Sequence, residues 1–277
     1  MNNQLHVSVI QCNSGSNLDT NLAALDQQLV TISSDVDLIV LPEMVAYRRL
    51  SLKDSLVQEM IPGQICHFFS DHAKRLNSWI IIGSLCETIS DSEKVYNTMV
   101  VLDAQGQVVD TYRKLHLFDC DISEQCLLES SSFEAGDQPK MVMINGFNVG
   151  LSICYDLRFS ALFSYYAHHQ ADVIVCPSSF TTYTGQAHWH TLLKARAIET
   201  QSYILAPNQY GRGGGNVMTY GHSMIIDPWG DILQEGPESG LVVLSDVLSK
   251  KRIQGVRSQL PMQNKQLLYN YGIGSDN

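Results

Sequence analysis

The residue with the clearest chemical potential is a cysteine at the end of an apolar strand pattern. Cys154 follows the run Val149 to Ile153, and a helical pattern starts within a few residues of it. Such a strand-to-helix junction presents a nucleophile at the carboxyl edge of a sheet and leaves the next backbone N–H free to stabilise an oxyanion. The alternative is a buried structural cysteine, which is the commoner fate of a free thiol.

Two charged residues also stand where strand patterns end. Glu43 follows the apolar run Leu38 to Pro42, and Lys114 follows the predicted strand Val108 to Tyr112. Burying either charge alone is expensive, so each should have a partner. The alternative is that both side chains are exposed at the strand ends.

None of the nine histidines has a diagnostic position, although histidine is the usual base for a thiol nucleophile. His188 and His190 lie two residues apart in a predicted helix, hence about 200° apart around its axis, so they cannot share a metal. We interpret them as solvated or packing side chains. The sequence predicts no metal site.

The other six of the seven cysteines are interpreted as structural. Cys12, Cys86 and Cys176 lie in or beside strands, and none has metal-ligand spacing. Cys120 and Cys126, in a polar loop, are a candidate redox pair. This sparse, odd count and an N-terminus without a basic flank or an apolar segment predict a cytoplasmic protein.

Two further features are interpreted as non-catalytic. The loop Gly211 to Gly215 lacks the Lys-Ser/Thr tail of a phosphate-binding loop and leads towards a strand, so we interpret it as a mobile flap. Asp156 and Arg158, close to Cys154, are interpreted as a structural salt bridge.

Short β-branched runs separated by helical patterns must position these residues, and they predict an α/β protein. The helical patterns lie at Asn21 to Ile32, Ser160 to His168 and His188 to Ile198. Hairpin turns are predicted at Asp103 to Gly106 and Asp227 to Gly230. The predicted strands are Val7 to Ile10, Val36 to Leu41, Trp79 to Ile82, Met99 to Leu102, Val149 to Ile153, Val173 to Val175, Tyr203 to Leu205, Met224 to Ile226 and Leu241 to Leu244. These patterns predict mixed β-sheets covered by helices, in a single domain over residues 1–277.

Composition excludes several classes of protein. With 277 residues, 44% hydrophobic and 17% charged, the chain can bury a substantial core and is not disordered. The 18 Lys+Arg against 28 Asp+Glu give a net charge of −10, whereas nucleic-acid binding needs a basic stripe. The apolar runs fall short of the roughly 20 residues of a membrane span. We therefore expect neither a nucleic-acid nor a membrane partner.

The order Glu43, Lys114, Cys154 resembles the triad of the carbon–nitrogen hydrolase (nitrilase) superfamily. The motifs that carry this resemblance are Leu41-Pro42-Glu43, Tyr112-Arg113-Lys114-Leu115-His116-Leu117 and Cys154-Tyr155-Asp156-Leu157-Arg158-Phe159. The resemblance covers nearly the whole chain and is strongest to the Nit branch, whose amidases act on α-keto acid amides. The segments Lys194 to Thr200 and Tyr220 to Ser223 look closer to the deaminated glutathione amidases than to the ω-amidases.

The resemblance implies an αββα sandwich of two mixed β-sheets flanked by helices, and no cofactor. It implies that Cys154 attacks an amide carbonyl and forms a thioester. Glu43 then serves as the general base, while Lys114 and the backbone N–H of Tyr155 stabilise the oxyanion. Glu129 resembles the family's second glutamate, which orients the lysine and the substrate.

The implied substrate is deaminated glutathione, an anionic keto-acid amide cleaved to 2-oxoglutarate and cysteinylglycine. Such an anion needs a cation besides Lys114, and Arg196, Lys194 and Arg212 are the candidates, although the first two can instead be surface charges of a helix. Thr184 and His188 lie in a matching segment and are further candidates for substrate contacts.

The resemblance also implies a homodimer or larger assembly, through the helix after Cys154 and a C-terminal arm at about residues 250–277. Two positions depart from the family pattern. Ser160-Ala161 replaces Pro-Glu, where Ser160 can still cap the helix, and Gln186 replaces a proline. These departures bear on substrate fit or subunit packing more than on the chemistry.

Other functions stay open. An ω-amidase acting on α-ketoglutaramate, another amidase, a nitrilase or a carbamoylase would use the same triad with a different pocket. Outside catalysis, the alternatives are a thiol redox sensor or an interaction protein on the same fold.

Overall fold

Two mixed β-sheets pack face to face, with helices on their outer surfaces. The computed structural model describes residues 3–51, 54–122, 125–213 and 217–262, with the backbone alone for residues 121, 122 and 125–127. The predicted αββα sandwich is confirmed.

The first sheet has eight strands in the order β18-β1-β2-β4-β5-β6, with β3 paired to β4 and β9 paired to β5. Its strands are β1 (Gln4–Gln11), β2 (Leu38–Val40), β3 (Gln58–Glu59), β4 (Trp79–Thr88), β5 (Val95–Leu102), β6 (Val108–Arg113), β9 (Phe133–Glu134) and β18 (Val242–Ser249). Strands β1, β2 and β4 run parallel, and β18, β5 and β6 are antiparallel to their neighbours.

The second sheet has six strands, parallel in the middle and antiparallel at both edges. In sheet order they are β10 (Met141–Ile144), β11 (Phe147–Leu151), β12 (Val173–Val175), β13 (Tyr203–Ala206), β16 (Met224–Ile226) and β17 (Ile232–Glu235). Two separate hairpins are formed by β7 (Asp119–Ile122) with β8 (Gln125–Leu128), and by β14 (Tyr210–Arg212) with β15 (Met218–Tyr220).

Five helices are described: α1 (Leu18–Leu29), α2 (Gln64–Leu76), α3 (Ser160–His168), α4 (Thr182–Thr200) and α5 (Lys250–Gln259). Helices α2 and α5 were not predicted. Helix α4 begins at Thr182 instead of His188, because the Thr181 hydroxyl accepts a hydrogen bond from the backbone N–H of Thr184 and caps the helix. Ser160 does not cap α3, whose N-cap position is occupied by Phe159 without a side-chain hydrogen bond.

Alternation along the strands builds three apolar layers. Val7 and Val9 in β1 point into the layer between the sheets, as do Val173 and Val175 in β12. Ile39 packs under α1 and α2, and on the other side Ile174 packs under α3 and α4. Each such side chain stabilises the fold by about 1.5–3 kcal/mol when fully buried. Because successive side chains of a strand point to opposite faces, this burial decides which face of each strand packs against which apolar layer.

Both predicted hairpins are confirmed. Strands β5 and β6 are joined through Asp103, whose carbonyl accepts from the Gly106 N–H at 2.9 Å. Strands β16 and β17 are joined through Asp227, whose carbonyl accepts from the Gly230 N–H at 2.9 Å. Gly230 has φ +92°, a left-handed conformation that favours glycine.

The described part of the C-terminal arm packs on its own chain. In α5, Lys250 Nζ lies 2.7 Å from Asp172 Oδ2, and Arg252 contacts Asp227 at 2.6 Å. Residues 263–277 of the predicted arm lie outside the described residues. Within the part of the chain that is described, no helix is long and apolar enough to span a membrane.

Candidate active site

Three strand ends bring the predicted triad together. Glu43 follows β2 and Lys114 follows β6, both in the first sheet, whereas Cys154 follows β11 in the second. Glu129 opens a short 3-10 turn after β8. All four line one cleft of about 670 Å³, a volume suited to a small organic ligand.

The Glu43 carboxylate accepts a backbone hydrogen bond from the segment that follows β12. Its Oε2 accepts a hydrogen bond from the Ser179 N–H at 2.8 Å, and its side chain is 6% exposed. Gly83 in β4 allows the close backbone approach behind it, since a Cβ there would lie 2.0 Å from the Leu41 carbonyl oxygen. A glycine in β4 therefore gives room for the backbone that leads to Glu43.

Lys114 is a buried cation between two carboxylates. Its Nζ lies 3.0 Å from Glu43 Oε1, and 3.0 and 2.8 Å from the two oxygens of Glu129. Burial favours the neutral amine, but Glu129 and Glu43 outweigh it and hold the pKa of Lys114 well above its ordinary value. The ammonium group therefore remains charged in the cleft, where it can stabilise an oxyanion.

Cys154 occupies a strained turn. Its φ is +47°, its N–H donates to the Pro177 carbonyl at 2.9 Å, and it begins the 3-10 turn Cys154–Arg158. A non-glycine residue in the left-handed region costs energy that is commonly retained at functional sites. The first N–H groups of a helical turn, here including that of Tyr155, lack partners within the turn and can bind an oxyanion.

The Cys154 thiol needs a base to become a nucleophile. Burial raises the pKa of Cys154 well above its ordinary value, the Glu43 carboxylate raises it further, and Lys114 opposes both. The thiol is therefore protonated at neutral pH. The Glu43 carboxylate lies close enough to act on the thiol directly, so it can take the proton as sulfur attacks.

Four other cysteines have the features of inert core residues. Burial raises the pKa of Cys12 to about 11, and that of Cys66, Cys86 and Cys176 to about 12. The Cys126 side chain of the candidate redox pair lies outside the described residues.

Asn97, a residue that sequence reasoning missed, bridges the two glutamates. It lies in β5, 1% exposed, and its Nδ2 donates to Glu43 Oε1 at 2.9 Å and to Glu129 Oε1 at 3.2 Å. Its backbone carbonyl accepts from the Lys114 N–H at 2.9 Å. One asparagine therefore positions all three charged groups.

Asn97→Asp is expected to lower kcat/KM by about 10- to 100-fold, because hydrogen bonds to charged groups contribute about 1.5–3 kcal/mol and the new carboxylate repels both glutamates. Steady-state kinetics on the purified variant, with its thermal midpoint, measure the effect. Asn17→Asp is the matched control, since Asn17 caps α1 and aspartate caps helices equally well. An unchanged kcat/KM in Asn97→Asp would exclude the positioning role.

The cleft also holds two guanidinium groups. Arg49 and Arg158 line it together with the triad, and Arg158 lies 5.0 Å from the centroid of the Phe180 ring. Among the described residues neither is in an ion pair with a carboxylate. The predicted Asp156–Arg158 salt bridge is wrong, because the buried Asp156 instead accepts from the Tyr112 hydroxyl at 2.7 Å.

The remaining candidates fall in different places. Thr184 is buried and lines the cleft, and His188 is exposed with its Nδ1 3.1 Å from Arg158 Nη1. The prediction for Arg196 is wrong, because its buried guanidinium donates twice to the Leu157 carbonyl and pairs with Glu199, outside the cleft.

The Gly-rich loop is only partly described. The Arg212 side chain is exposed on β14 and is not among the cleft residues. Residues 214–216 of the predicted flap lie outside the described residues. The neighbouring Gly213 and Val217 do line the cleft.

An αββα sandwich whose cleft joins a cysteine, a glutamate and a lysine defines a nitrilase-like hydrolase. The family model described as carbon-nitrogen hydrolase matches residues 6–257. The chain is 32% identical to a deaminated glutathione amidase of Yersinia enterocolitica over 93% of this chain and 91% of that protein. It is also 34% identical to a deaminated glutathione amidase of Dictyostelium discoideum, over 99% of this chain and 97% of that protein.

A solved structure agrees. Saccharomyces cerevisiae Nit3, a member of branch 10 of the nitrilase superfamily, superposes with a TM-score of 0.81 at 26% identity, covering 95% of this chain and 96% of that one. The chain belongs to the carbon–nitrogen hydrolase family.

Proposed function

We propose that this protein hydrolyses the amide bond of deaminated glutathione, releasing 2-oxoglutarate and cysteinylglycine. The observation that carries the proposal is the pair Arg49 and Arg158 in the cleft that ends at Cys154. Deaminated glutathione has one carboxylate on each side of the scissile amide, and the two guanidinium groups supply one cation for each. The names of the curated relatives support the same substrate.

Acylation begins with the Glu43 carboxylate taking the Cys154 proton while the thiolate attacks the amide carbonyl carbon. The carbonyl oxygen becomes an oxyanion bound by Lys114 Nζ and the Tyr155 N–H. The tetrahedral species then collapses, the C–N bond breaks, and protonated Glu43 gives its proton to the leaving amine of cysteinylglycine. A thioester with Cys154 remains.

Deacylation uses the same groups with water as the nucleophile. Glu43 takes a proton from water as its oxygen attacks the thioester carbon, and Lys114 again stabilises the oxyanion. The C–S bond breaks, Cys154 recovers the proton from Glu43, and 2-oxoglutarate leaves. Glu129 holds Lys114 in place throughout, and Asn97 holds Glu43.

We place this enzyme in the cytoplasm as a single domain that needs no cofactor, in a homodimer or larger assembly. The contact is through α3, where Tyr165 is 37% exposed, and through the arm at about residues 250–277. Sedimentation of the full chain tests the assembly, and a monomer would contradict it.

The two cleft arginines are expected to act differently on two substrates. Arg49→Gln and Arg158→Gln should each raise KM for deaminated glutathione by about 10- to 100-fold, since each removes a charge-assisted hydrogen bond of about 1.5–3 kcal/mol. With α-ketoglutaramate, which has one carboxylate, only one of the two substitutions should raise KM. Initial rates of dipeptide and ammonia release measure both.

Arg75→Gln is the control, because Arg75 lies on α2 and binds the Leu29 carbonyl away from the cleft. Unchanged KM values in both cleft variants would contradict the assignment of the carboxylate sites. Comparing the two substrates on the parent enzyme decides the specificity: a higher kcat/KM for α-ketoglutaramate would make the protein an ω-amidase.

A further inference from the structure

A cluster of two histidines and a glutamate lies outside the active-site cleft. His190 is in α4, His222 lies just before β16, and Glu235 is the last residue of β17. None of the three lines the cleft. They are between 23% and 35% exposed, so an ion from solvent can reach them.

Their ligand atoms have the spacing of a metal site. His190 Nε2 lies 3.0 Å and His222 Nδ1 2.8 Å from the same Glu235 oxygen, and all three atoms lie within 4.8 Å of one another. Three ligands at the usual zinc–ligand distances around one tetrahedral ion lie roughly 3.3 Å apart. A small inward shift of the side chains would therefore place one ion between them.

The backbone around His222 holds that ligand in place. His222 has φ +50°, its N–H donates to the Pro237 carbonyl, and its carbonyl accepts from the Trp189 indole N–H at 2.8 Å. A left-handed conformation at a residue other than glycine is uncommon and concentrates at ligand-binding sites. Trp189 is the residue before His190, so this hydrogen bond also sets the position of α4 relative to the His222 loop.

We propose that His190, His222 and Glu235 bind a divalent transition-metal ion of the zinc type. Two imidazoles and one carboxylate form a set that suits Zn²⁺, with a further position for water. Such an ion would link α4 to the β16–β17 hairpin. Its role is structural, because the amide hydrolysis described above uses only Cys154 and its neighbours. The histidine that shares the ion with His190 is therefore His222, which lies 32 residues further along the chain, and not the neighbouring His188.

Cobalt(II) titration of the full-length protein tests the proposal, because cobalt occupies zinc sites and its absorption reports the ligands. We expect one ion per chain, visible d–d bands, and no thiolate-to-cobalt charge-transfer band, which separates this site from binding at Cys154. Equilibrium dialysis with Zn²⁺ should give the same stoichiometry, and Zn²⁺ should raise the thermal midpoint.

Three variants remove one ligand each. His190→Gln, His222→Asn and Glu235→Gln should each weaken binding at least about tenfold, and asparagine tolerates the positive φ of residue 222. Far-ultraviolet circular dichroism confirms that each variant is folded. His168→Ala is the matched control, since the exposed His168 ring also lies beside a second imidazole, that of His169, with centroids 5.2 Å apart.

The metal-binding measurements distinguish a site at these three residues from its absence. Binding of one ion that is weakened by all three substitutions and unaffected by His168→Ala supports the site. Absence of bound metal in the parent, a thiolate band, or undiminished binding in any of the three ligand variants overturns it. Because metal binding is measured directly, a failure here leaves the proposed amidase activity untouched, and the reverse also holds.

Discussion

Cys154→Ala is expected to abolish turnover, with a loss in kcat of at least about 10⁴-fold. No other described group in the cleft is a thiol, so neither the thioester nor the second half-reaction can form. The fold should survive, because alanine occupies the same backbone conformation and leaves only the small volume of the sulfur. Release of cysteinylglycine by the purified variant is the direct measurement.

Mass spectrometry of enzyme quenched during turnover gives the complementary observation. The parent should carry a 2-oxoglutaryl group on the peptide that contains Cys154, and Cys154→Ala should carry none. Cys66→Ala is the matched control, since Cys66 is buried in α2. Turnover in Cys154→Ala within tenfold of the parent would rule out covalent catalysis at this residue.

Lys114→Met is expected to lower kcat/KM by about 10²- to 10³-fold, the usual effect of losing one oxyanion donor. It should also destabilise the fold by about 3–5 kcal/mol, because two buried carboxylates lose their cation. Kinetics and urea denaturation measure the two effects. Lys140→Met is the control, since Lys140 forms a partly exposed ion pair with Asp110 at 3.4 Å.

Lys114→Met should also change the reactivity of the Cys154 thiol. Burial raises the pKa of Cys154, and Lys114 acts in the opposite direction, so removing the lysine raises that pKa further. The thiolate then forms only at higher pH. The pH profile of iodoacetamide alkylation at Cys154 should move to higher pH in Lys114→Met. A kcat/KM within fivefold of the parent, with an unmoved profile, would refute the role of Lys114.

The sequence predicted the elements that carry chemistry better than their surroundings. Cys154 was identifiable because a strand pattern changes to a helical one at that residue. Glu43 and Lys114 stood out because a charge at the end of an apolar run needs a partner. That these three residues lie in one site depends on how the two sheets pack, which local sequence patterns do not encode. Only the family resemblance predicted it.

Residues missed by sequence reasoning share a physical cause. Asn97 lies inside a buried strand, where an isolated amide gives no signal until its carboxylate partners are placed. Arg196 and Arg158 have the same chemistry, and only tertiary packing decides that one bonds to a carbonyl while the other faces the cleft. Helix α2 was missed although its apolar residues Ile65, Phe69, Ala73 and Leu76 recur at helical spacing and are all buried.

The two sheets divide the catalytic groups between them. Glu43 and Lys114 belong to the first sheet and Cys154 to the second, so every turnover depends on the registry between the two layers. A slip of one layer against the other would separate proton acceptor from sulfur while each sheet kept its own hydrogen bonds. Neither half of the chain expressed alone would be a catalyst. During refolding, the rate at which activity returns would report how fast the two layers pack together.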